Sequence, residues 1–425
     1  MPTALLGLLL LVQAPSNGTT DEPAERAAQV DQAQQADPAE KAEQTEPAEN
    51  DPAADSAALD QEGPRYGIGA HFDWSFSNSE KGPLNASYYG DNLLKLLRVS
   101  LLFNFQASER VGLYVNLTSE NGGSPHLYGA FVRLAPFSDQ RFWIQAGKIP
   151  QAFGAFPERW YPFANPLVGN PLMYSYLTSL QPYSVPADVD DLLSQRGNGF
   201  YSQFQGDPPH AGMPMIQIFR WAAGGIGYGS VGPFQYLGGV TAGSASNPLQ
   251  VDDDGGSQVL GRARYLPSPA FNAGVSAAYG PYLSNISEEA LDGRSRDGFH
   301  QTAIGGDFQY ARGHLLLYGE TAWSRWESPN IAEPLDTVSA FVETRYRLLP
   351  GVYAAGRLDR MSFGDVTARD GRRESWDYSL SRLELASGFS WERHVLLKVA
   401  GQFNWYDDRT DLNENIIVFQ IVVHF

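Results

Sequence analysis

The sequence predicts an all-β fold, a transmembrane antiparallel β-barrel of about 16 strands with a long third external loop that folds inward. Three observations lead to this prediction. The chain ends in a segment of alternating hydrophobicity, 16 segments in all show such alternation, and the connections between them alternate between short and long. On a strand, alternate side chains share one face. A membrane barrel needs an apolar residue only at every second strand position, which agrees with a chain of 18% charged residues.

The segment Ile417–Phe425 carries the clearest strand signal. Its odd-numbered residues are all apolar, whereas Gln420 and His424 point to the opposite face. A chain that stops on an aromatic residue at the end of such a strand resembles the closing strand of bacterial outer-membrane barrels. The barrel-assembly machinery reads the terminal aromatic there, and the resemblance gives this role to Phe425. The alternative is an ordinary core strand that happens to end the protein.

The first 62 residues lie outside the predicted barrel. The apolar run from Ala4 to Val12 is too short to cross a bilayer as a helix and is typical of a secretory signal peptide, which we assign to residues 1–20. Residues 21–62 hold 13 acidic and 2 basic residues, and so contribute −11 to the net charge of −18. With four prolines and almost no large apolar residues, this segment is predicted to be a disordered periplasmic tether. An alternative is that the tether binds cell-wall material or a partner.

Residues 63–425 are predicted to form the barrel. The first strand runs from Tyr66 to Phe76, and the second alternates from Leu97 to Gln106. Further strands begin near Val111, His126, Arg141, Gln217, Phe234, Ser257, Ala270, Phe299, His314, Thr337, Val352, Ser375, Glu392 and Glu414. The strand between Gln217 and Ser230 is ambiguous and could be split.

The connections between the predicted strands alternate in length. Short ones such as Ala107–Arg110 and Val231–Pro233 are followed by long ones such as Ser119–Pro125 and Gly243–Gly256. Outer-membrane barrels have tight periplasmic turns, longer external loops and an even number of strands. A soluble β-sandwich or propeller has no reason to alternate so regularly. The pattern therefore predicts a protein in contact with lipid in the outer membrane of a Gram-negative bacterium.

One connection, residues 149–216, is much longer than the others. It is rich in proline and aromatic residues, among them Trp160 and Tyr161, whose apolar surface would be costly to leave in water. A loop of this kind can fold into the lumen or cap the mouth of the barrel, and we expect a constriction or partial plug. Its basic residues are Arg159 and Arg196, against five acidic ones.

The stretches on either side of this loop resemble the phosphate-selective porin O and P superfamily. They are Leu127–Arg133, then Phe142–Lys148 followed by Phe153 and Gly154, and the glycine-rich stretch Gly224–Gly243. The resemblance implies a 16-stranded, usually trimeric diffusion channel. Phosphate-selective members rely on lysine and arginine in the constriction, whereas the loop of this chain is mainly acidic. We therefore expect passage of small hydrophilic solutes or anions in general, and no phosphate specificity.

Alternation places a set of charged residues on the inward face of the predicted strands. The basic members are Arg98, Arg262, Arg264, Arg345, Arg347, Arg357, Arg382 and Lys398, and the acidic members are Glu320, Glu343, Asp359 and Glu384. A charge on the lipid face costs about 2–4 kcal/mol near the midplane, so the lumen is where such residues stay hydrated. They can form a pore-lining track that guides anions. Alternatively, the acidic members neutralise the basic ones and cross-link the wall.

Several classes of function find no support in the sequence. The absence of cysteine excludes disulfides, thiolate metal sites and cysteine nucleophiles. No metal-binding histidine motif, nucleophile elbow, phosphate-binding loop or basic tract occurs. We expect no catalytic residue, no metal, no cofactor and no nucleic-acid partner. Two functions remain: a passive homotrimeric channel for small solutes that leans to anions, and a non-conducting plugged barrel that serves as a structural or partner-docking protein.

Overall fold

A computed structural model describes residues 65–79, 85, 93–137, 141–199, 211–249, 256–284 and 290–425. These residues form a closed antiparallel barrel of 16 strands, in which the first strand pairs with the last. The predicted fold class is therefore confirmed. The predicted signal peptide, residues 1–20, and the tether, residues 21–62, lie outside the described residues and stay predictions.

The strands follow one another around the barrel in chain order, interrupted by one small external hairpin. They are β1 (Arg65–Ser77), β2 (Leu96–Ser108), β3 (Val111–Glu120), β4 (His126–Leu134), β5 (Phe142–Ile149), β6 (Ala222–Val231), β7 (Phe234–Ala242), β8 (Ser257–Ser268), β9 (Phe271–Pro281), β10 (His300–Arg312), β11 (Leu315–Trp326), β12 (Leu335–Leu349), β13 (Val352–Phe363), β14 (Asp365–Thr367), β15 (Arg373–Ser375), β16 (Leu380–Trp391), β17 (Val395–Tyr406) and β18 (Glu414–His424). Strands β14 and β15 pair with each other as a separate two-stranded sheet.

Alternation gives the barrel an apolar outer surface. On β12, Val338, Val342 and Tyr346 are exposed on the outside, whereas Glu343 on the other face is completely buried. Because hydrocarbon offers no hydrogen-bond partners, a closed barrel whose backbone is paired internally can span a bilayer. The exposed apolar residues of this surface therefore meet lipid. Within the described ranges, no helix has the length and apolar character needed to cross a membrane.

The last strand shows that the lumen is filled. Ile417 and Phe419 are exposed on the outer face of β18, but its inward residues Ile416, Val418 and Val422 are also apolar and almost fully buried. They pack in a cluster with residues of the connection between β5 and β6. The inward face of β18 is therefore packed against the loop at these three apolar positions, and it is polar at Gln420 and His424.

Two predicted strand starts are wrong. The sixth strand is predicted from Gln217, but β6 begins at Ala222, because Ile218 and Phe219 leave the wall and are buried in the lumen. The fourteenth barrel strand is predicted from Ser375, which instead ends the external hairpin. Strand β16 begins at Leu380, since the intervening residues Trp376 and Asp377 turn inward and are fully buried.

Candidate functional site

The described residues of the connection between β5 and β6, 150–199 and 211–221, lie in the lumen and at its external end; we call them the inner loop. It contains a 3₁₀ turn at Phe156–Arg159 and the short helices α1 (Leu172–Ser175) and α2 (Val189–Ser194). Phe156, Leu172 and Tyr174 have no exposed surface. The predicted inward folding of the third external loop is confirmed.

Aromatic stacking anchors one end of the inner loop to the wall. The ring of Trp160 stacks on Tyr128 of β4, with 5.5 Å between centroids. Asn116 on β3 donates a hydrogen bond of 3.0 Å to the hydroxyl of Tyr161. Large aromatic side chains bury much apolar area and favour such stacked contacts. The aromatic content of the loop is thus explained by its position inside the barrel.

Wall carboxylates accept hydrogen bonds from the main chain of the inner loop. Glu320 on β11 accepts the backbone N–H groups of Ala155 and Phe156, at 3.3 and 3.2 Å, and the hydroxyl of Tyr174. A 3₁₀ turn leaves its first N–H groups without internal partners, so a buried carboxylate at this end satisfies them. Glu320 therefore holds the first turn of the loop.

Two further wall carboxylates continue this pattern along the loop. Glu384 on β16 accepts the N–H groups of Val168 and Gly169, at 3.1 and 2.8 Å. Asp359 on β13 accepts the N–H of Leu172 at 3.4 Å. Each bond satisfies a backbone donor that would otherwise be buried without a partner.

Wall cations bind the carbonyl groups of the same loop. The ammonium of Lys398 on β17 donates to the carbonyls of Pro162, Asn165 and Leu167, at 2.7 Å and 3.0 Å for the last two. Arg382 on β16 donates to the carbonyl of Asn170 at 3.1 Å. The loop is therefore fixed through its main chain, and its position does not depend on side-chain complementarity alone.

Arg357 on β13 lies at the centre of this arrangement. Its guanidinium lies 3.1 Å from Glu343, 2.9 Å from Asp359 and 2.9 Å from Glu384, and all four side chains are fully buried. Glu343 also pairs with Arg159 of the inner loop. A buried charge is tolerated only where it is paired and hydrogen-bonded. We call these wall residues the collar: Glu320, Glu343, Arg357, Asp359, Arg382, Glu384 and Lys398.

The structure divides the predicted charged residues into two groups. The collar residues, together with Arg98 and Arg262, face inward and are at most 7% exposed beneath the inner loop. Arg264, Arg345 and Arg347 also face inward, but they are half-buried near the periplasmic turns. Of the predicted loop residues, Arg159 and Trp160 are buried, Tyr161 is half-buried, and Arg196 pairs with Glu374 at 2.7 Å on the external side. Phe425 is 73% exposed.

The half-buried residues belong to a basic group at the periplasmic end, which we call the periplasmic arginines: Arg133, Arg264, Arg345 and Arg347. Arg264 pairs at 3.2 Å with Glu158, on the inner-loop turn that faces it. Arg133 lies over the ring of Trp143, 5.2 Å from its centroid, and Arg345 lies 5.8 Å from the centroid of Tyr353. Within the described residues, neither Arg133 nor Arg345 forms an ion pair. The sequence analysis did not identify Arg133 as a lumen residue. Arg133 lies two positions after the inward residue Phe131 of β4 and therefore shares its face.

Asp377 is a second residue that the sequence analysis missed. It lies between β15 and β16 and accepts the backbone N–H groups of Ser179 and Gly197 at 2.8 and 2.9 Å. Burial raises the pKa of Asp377, and these hydrogen bonds oppose that rise. Nothing in the sequence marks this residue, since an aspartate in an external loop ordinarily lies in water.

In the part of the chain that the structure describes, no group of three or more His, Cys, Asp or Glu side chains is placed to hold a metal.

Gly154 permits the close approach of the inner loop to Glu320. Its φ of +77° suits glycine, and a Cβ atom there would overlap with the Glu320 carboxylate and the Tyr174 hydroxyl. We expect Gly154→Ala to lower the unfolding midpoint of the barrel, measured as the temperature at which the folded form is lost on a detergent gel. The control is Gly293→Ala, whose φ is +74° with nothing within 4 Å, so that it reports only the backbone cost of about 1 kcal/mol. Equal shifts in the two variants would contradict this role.

Solved structures share the fold of this chain, although no family model and no curated protein matches it. An anion-selective porin from Comamonas acidovorans aligns with a TM-score of 0.53 and 10% identity, over 85% of this chain and 100% of that chain. The outer-membrane channel DcaP of Acinetobacter baumannii gives 0.50 and 12%, over 86% and 98%. OmpT of Vibrio cholerae, in its trimer form, gives 0.50 and 8%, over 85% and 100%.

The chain has the fold of an outer-membrane porin. At identities of 8–12%, the likeness to these structures shows the fold alone. Membership of the phosphate-selective porin O and P superfamily stays a prediction.

Proposed function

We propose that the protein is a passive diffusion channel in the outer membrane of a Gram-negative bacterium, with a preference for anions among small hydrophilic solutes. The porin fold and the apolar outer surface support the location. The observation that carries the proposed preference is the group of periplasmic arginines, of which Arg133 and Arg345 contact aromatic rings and, within the described residues, no carboxylate. The proposal includes no reaction, so it assigns no catalytic residue.

The inner loop sets the size of the channel. It fills much of the lumen, and its main chain is hydrogen-bonded by the collar. A pore narrowed in this way passes small solutes at low conductance. Charges in a narrow lumen with low-dielectric walls act strongly on passing ions, so the periplasmic arginines favour anions there.

A second candidate is the non-conducting plugged barrel. It is favoured by the complete burial of loop residues such as Phe156, Leu172 and Tyr174. On this hypothesis the barrel has a structural or partner-docking role. The two candidates differ in one property, which is whether the full chain conducts ions.

We also propose that the barrel assembles as a homotrimer. The support is that OmpT of Vibrio cholerae, with the same fold, is described in a trimer form. Recognition of Phe425 by the barrel-assembly machinery is part of the same proposal, since its side chain is exposed beside the pair β1 and β18. The mass of the purified barrel in detergent, measured by light scattering, tests the trimer, and a monomer would contradict it.

The variant Arg345→Gln tests the anion preference. At the few ångströms that separate a wall charge from a passing ion, one charge contributes about 1 kcal/mol or less in water. We expect the anion-to-cation permeability ratio to fall roughly two-fold, measured as reversal potential in a salt gradient across a planar bilayer. The control is Arg312→Gln, at the same end of the barrel but exposed on the outer face of β10. An unchanged reversal potential in Arg345→Gln would remove the basis of the proposed preference.

A further inference from the structure

The largest group of buried polar atoms without partners lies in one sector of the wall, formed by the inward residues of β18, β1, β2 and β3, and a smaller group lies on β8. Within the described residues, both ring nitrogens of His71, Oδ2 of Asp73, Nη2 of Arg98, Oε2 of Glu120 and Oε1 of Gln420 make no hydrogen bond. These side chains are close neighbours, because Arg98 lies opposite Asp73 on one side and opposite Glu120 on the other. We call this the β18–β3 sector.

The collar, on β11, β12, β13, β16 and β17, differs sharply. None of its seven side chains has a buried polar atom without a partner. Its carboxylates and cations all bind the inner loop or one another. The inner loop is therefore bound closely to the collar, although Nε of Arg159 lacks a partner there, and is bound less closely to the β18–β3 sector.

Unpaired buried polar atoms are rare because each costs about 1–3 kcal/mol. Several such residues side by side therefore point to water as their partner. A small cavity among them is lined by Asp73, Arg98, Trp160, Asn170 and Gln420. The amide nitrogen of Asn170 also lacks a partner. Arg98 and Asn170 can donate, and Asp73 and Gln420 can accept, which matches the two donors and two acceptors of a water molecule.

The contact between the inner loop and this sector is also of a weaker kind. The ring of His71 lies edge-on to Tyr161 and Phe163, with centroids 6.0 and 5.5 Å apart. Asn116 of β3 also donates a hydrogen bond to the Tyr161 hydroxyl, but these contacts are made by loop side chains and lack the main-chain hydrogen bonds that fix the loop to the collar. Water can therefore enter here with little loss of bonding.

We propose that the hydrated path past the inner loop runs along the polar side chains of the β18–β3 sector, between β1–β3 and the loop segment Trp160–Asn170, and is bordered by the apolar contact of β18 with Leu167 and Val168. The inference rests on the proposed channel function and adds the route to it. Water and small ions pass Asp73, Arg98 and Glu120 on this route, and the collar side stays dry.

Cysteine accessibility tests the route, because the natural chain has no cysteine. The test variant is Ser100→Cys, at an inward position of β2 that lies opposite His71 and is 1% exposed. The matched control is Ser339→Cys, at an inward position of β12 that is 0% exposed. A thiol reacts only where water and reagent reach it. We expect a cationic methanethiosulfonate to label Ser100→Cys roughly ten-fold faster than Ser339→Cys, as measured by protein mass.

Each outcome of this test is decisive. Equal rates at the two positions, fast or slow, would overturn the route, as would faster labelling at Ser339→Cys. If Ser100→Cys does not fold, Thr118→Cys on β3 takes its place, since Thr118 is 2% exposed and opposite Ser100. Labelling by mass needs no current, so the route and the channel function can fail separately. Fast labelling in a silent barrel would contradict the channel, and no labelling in a conducting barrel would contradict the route.

Discussion

Deletion of Pro157–Asn198 will raise the single-channel conductance several-fold and move the ion preference towards cations. The deletion removes most of the inner loop, including the buried side chains of α1. The barrel wall keeps its own hydrogen-bonded ladder and does not need the loop to close. The lumen then widens to the space that the loop now fills, and the conductance rises with it.

The change of preference follows from the charges that the deletion uncovers. The inward wall at this level carries seven acidic and five basic side chains, an excess of two negative charges. They are Asp73, Glu120, Asp307, Glu320, Glu343, Asp359 and Glu384, against Arg98, Arg262, Arg357, Arg382 and Lys398. In the full chain these charges are buried beneath the inner loop, but in the deletion variant they face open water. A negative wall attracts cations.

Planar-bilayer recordings of the two forms measure both effects. As a control, deletion of the external hairpin Asp365–Ser375 removes the ion pair between Glu374 and Arg196 but leaves the collar contacts of the inner loop in place, and should leave conductance nearly unchanged. A full chain that is silent and conducts only after deletion of Pro157–Asn198 would favour the plugged barrel. A deletion variant that conducts no better than the full chain would contradict the position of the loop itself.

Replacement of Arg357 by methionine will destabilise the folded barrel by about 3–5 kcal/mol, the cost of breaking a buried ion network by removing one partner. Arg357 pairs with Glu343, Asp359 and Glu384, and its loss leaves three buried carboxylates without their shared cation. It also donates a hydrogen bond of 2.9 Å to the carbonyl of Gly169, so the inner loop loses an anchor. The free energy of unfolding in a denaturant series measures the effect.

The same strand offers a matched control for this variant. Arg360 faces outward on β13 and pairs with Asp407, but both side chains are nearly half exposed. Exposed ion pairs contribute about 0–1 kcal/mol, so Arg360→Met should change the free energy of unfolding by no more than this. Similar losses in Arg357→Met and Arg360→Met would show that the collar does not stabilise the barrel.

The sequence predicts the faces of the strands but not their neighbours. Alternation alone places Glu343, Arg357 and Glu384 on the inward face, because its period is a property of each strand. That Arg357 lies opposite Glu343 on one side and Glu384 on the other depends on the register between strands. Register is set by pairing around the whole barrel, which a single sequence does not display.

The inner loop shows a different limit. Its length and aromatic residues predict that it folds inward, but the residues that hold it act through backbone groups, as when Lys398 binds three carbonyls. Backbone groups leave no trace in residue identity. A usable signal was present on β18, where the inward residues Ile416, Val418 and Val422 are apolar like the outward ones. A barrel strand that is apolar on both faces predicts a packed lumen beside it.

The reversal potential of the full chain in a potassium chloride gradient across a planar bilayer tests the central claim most directly. We expect stepwise insertion of conducting units and a potential of the sign given by chloride preference, because the periplasmic arginines face the lumen. A correctly folded barrel that inserts without any conductance, or one that prefers potassium, would contradict an anion-leaning channel.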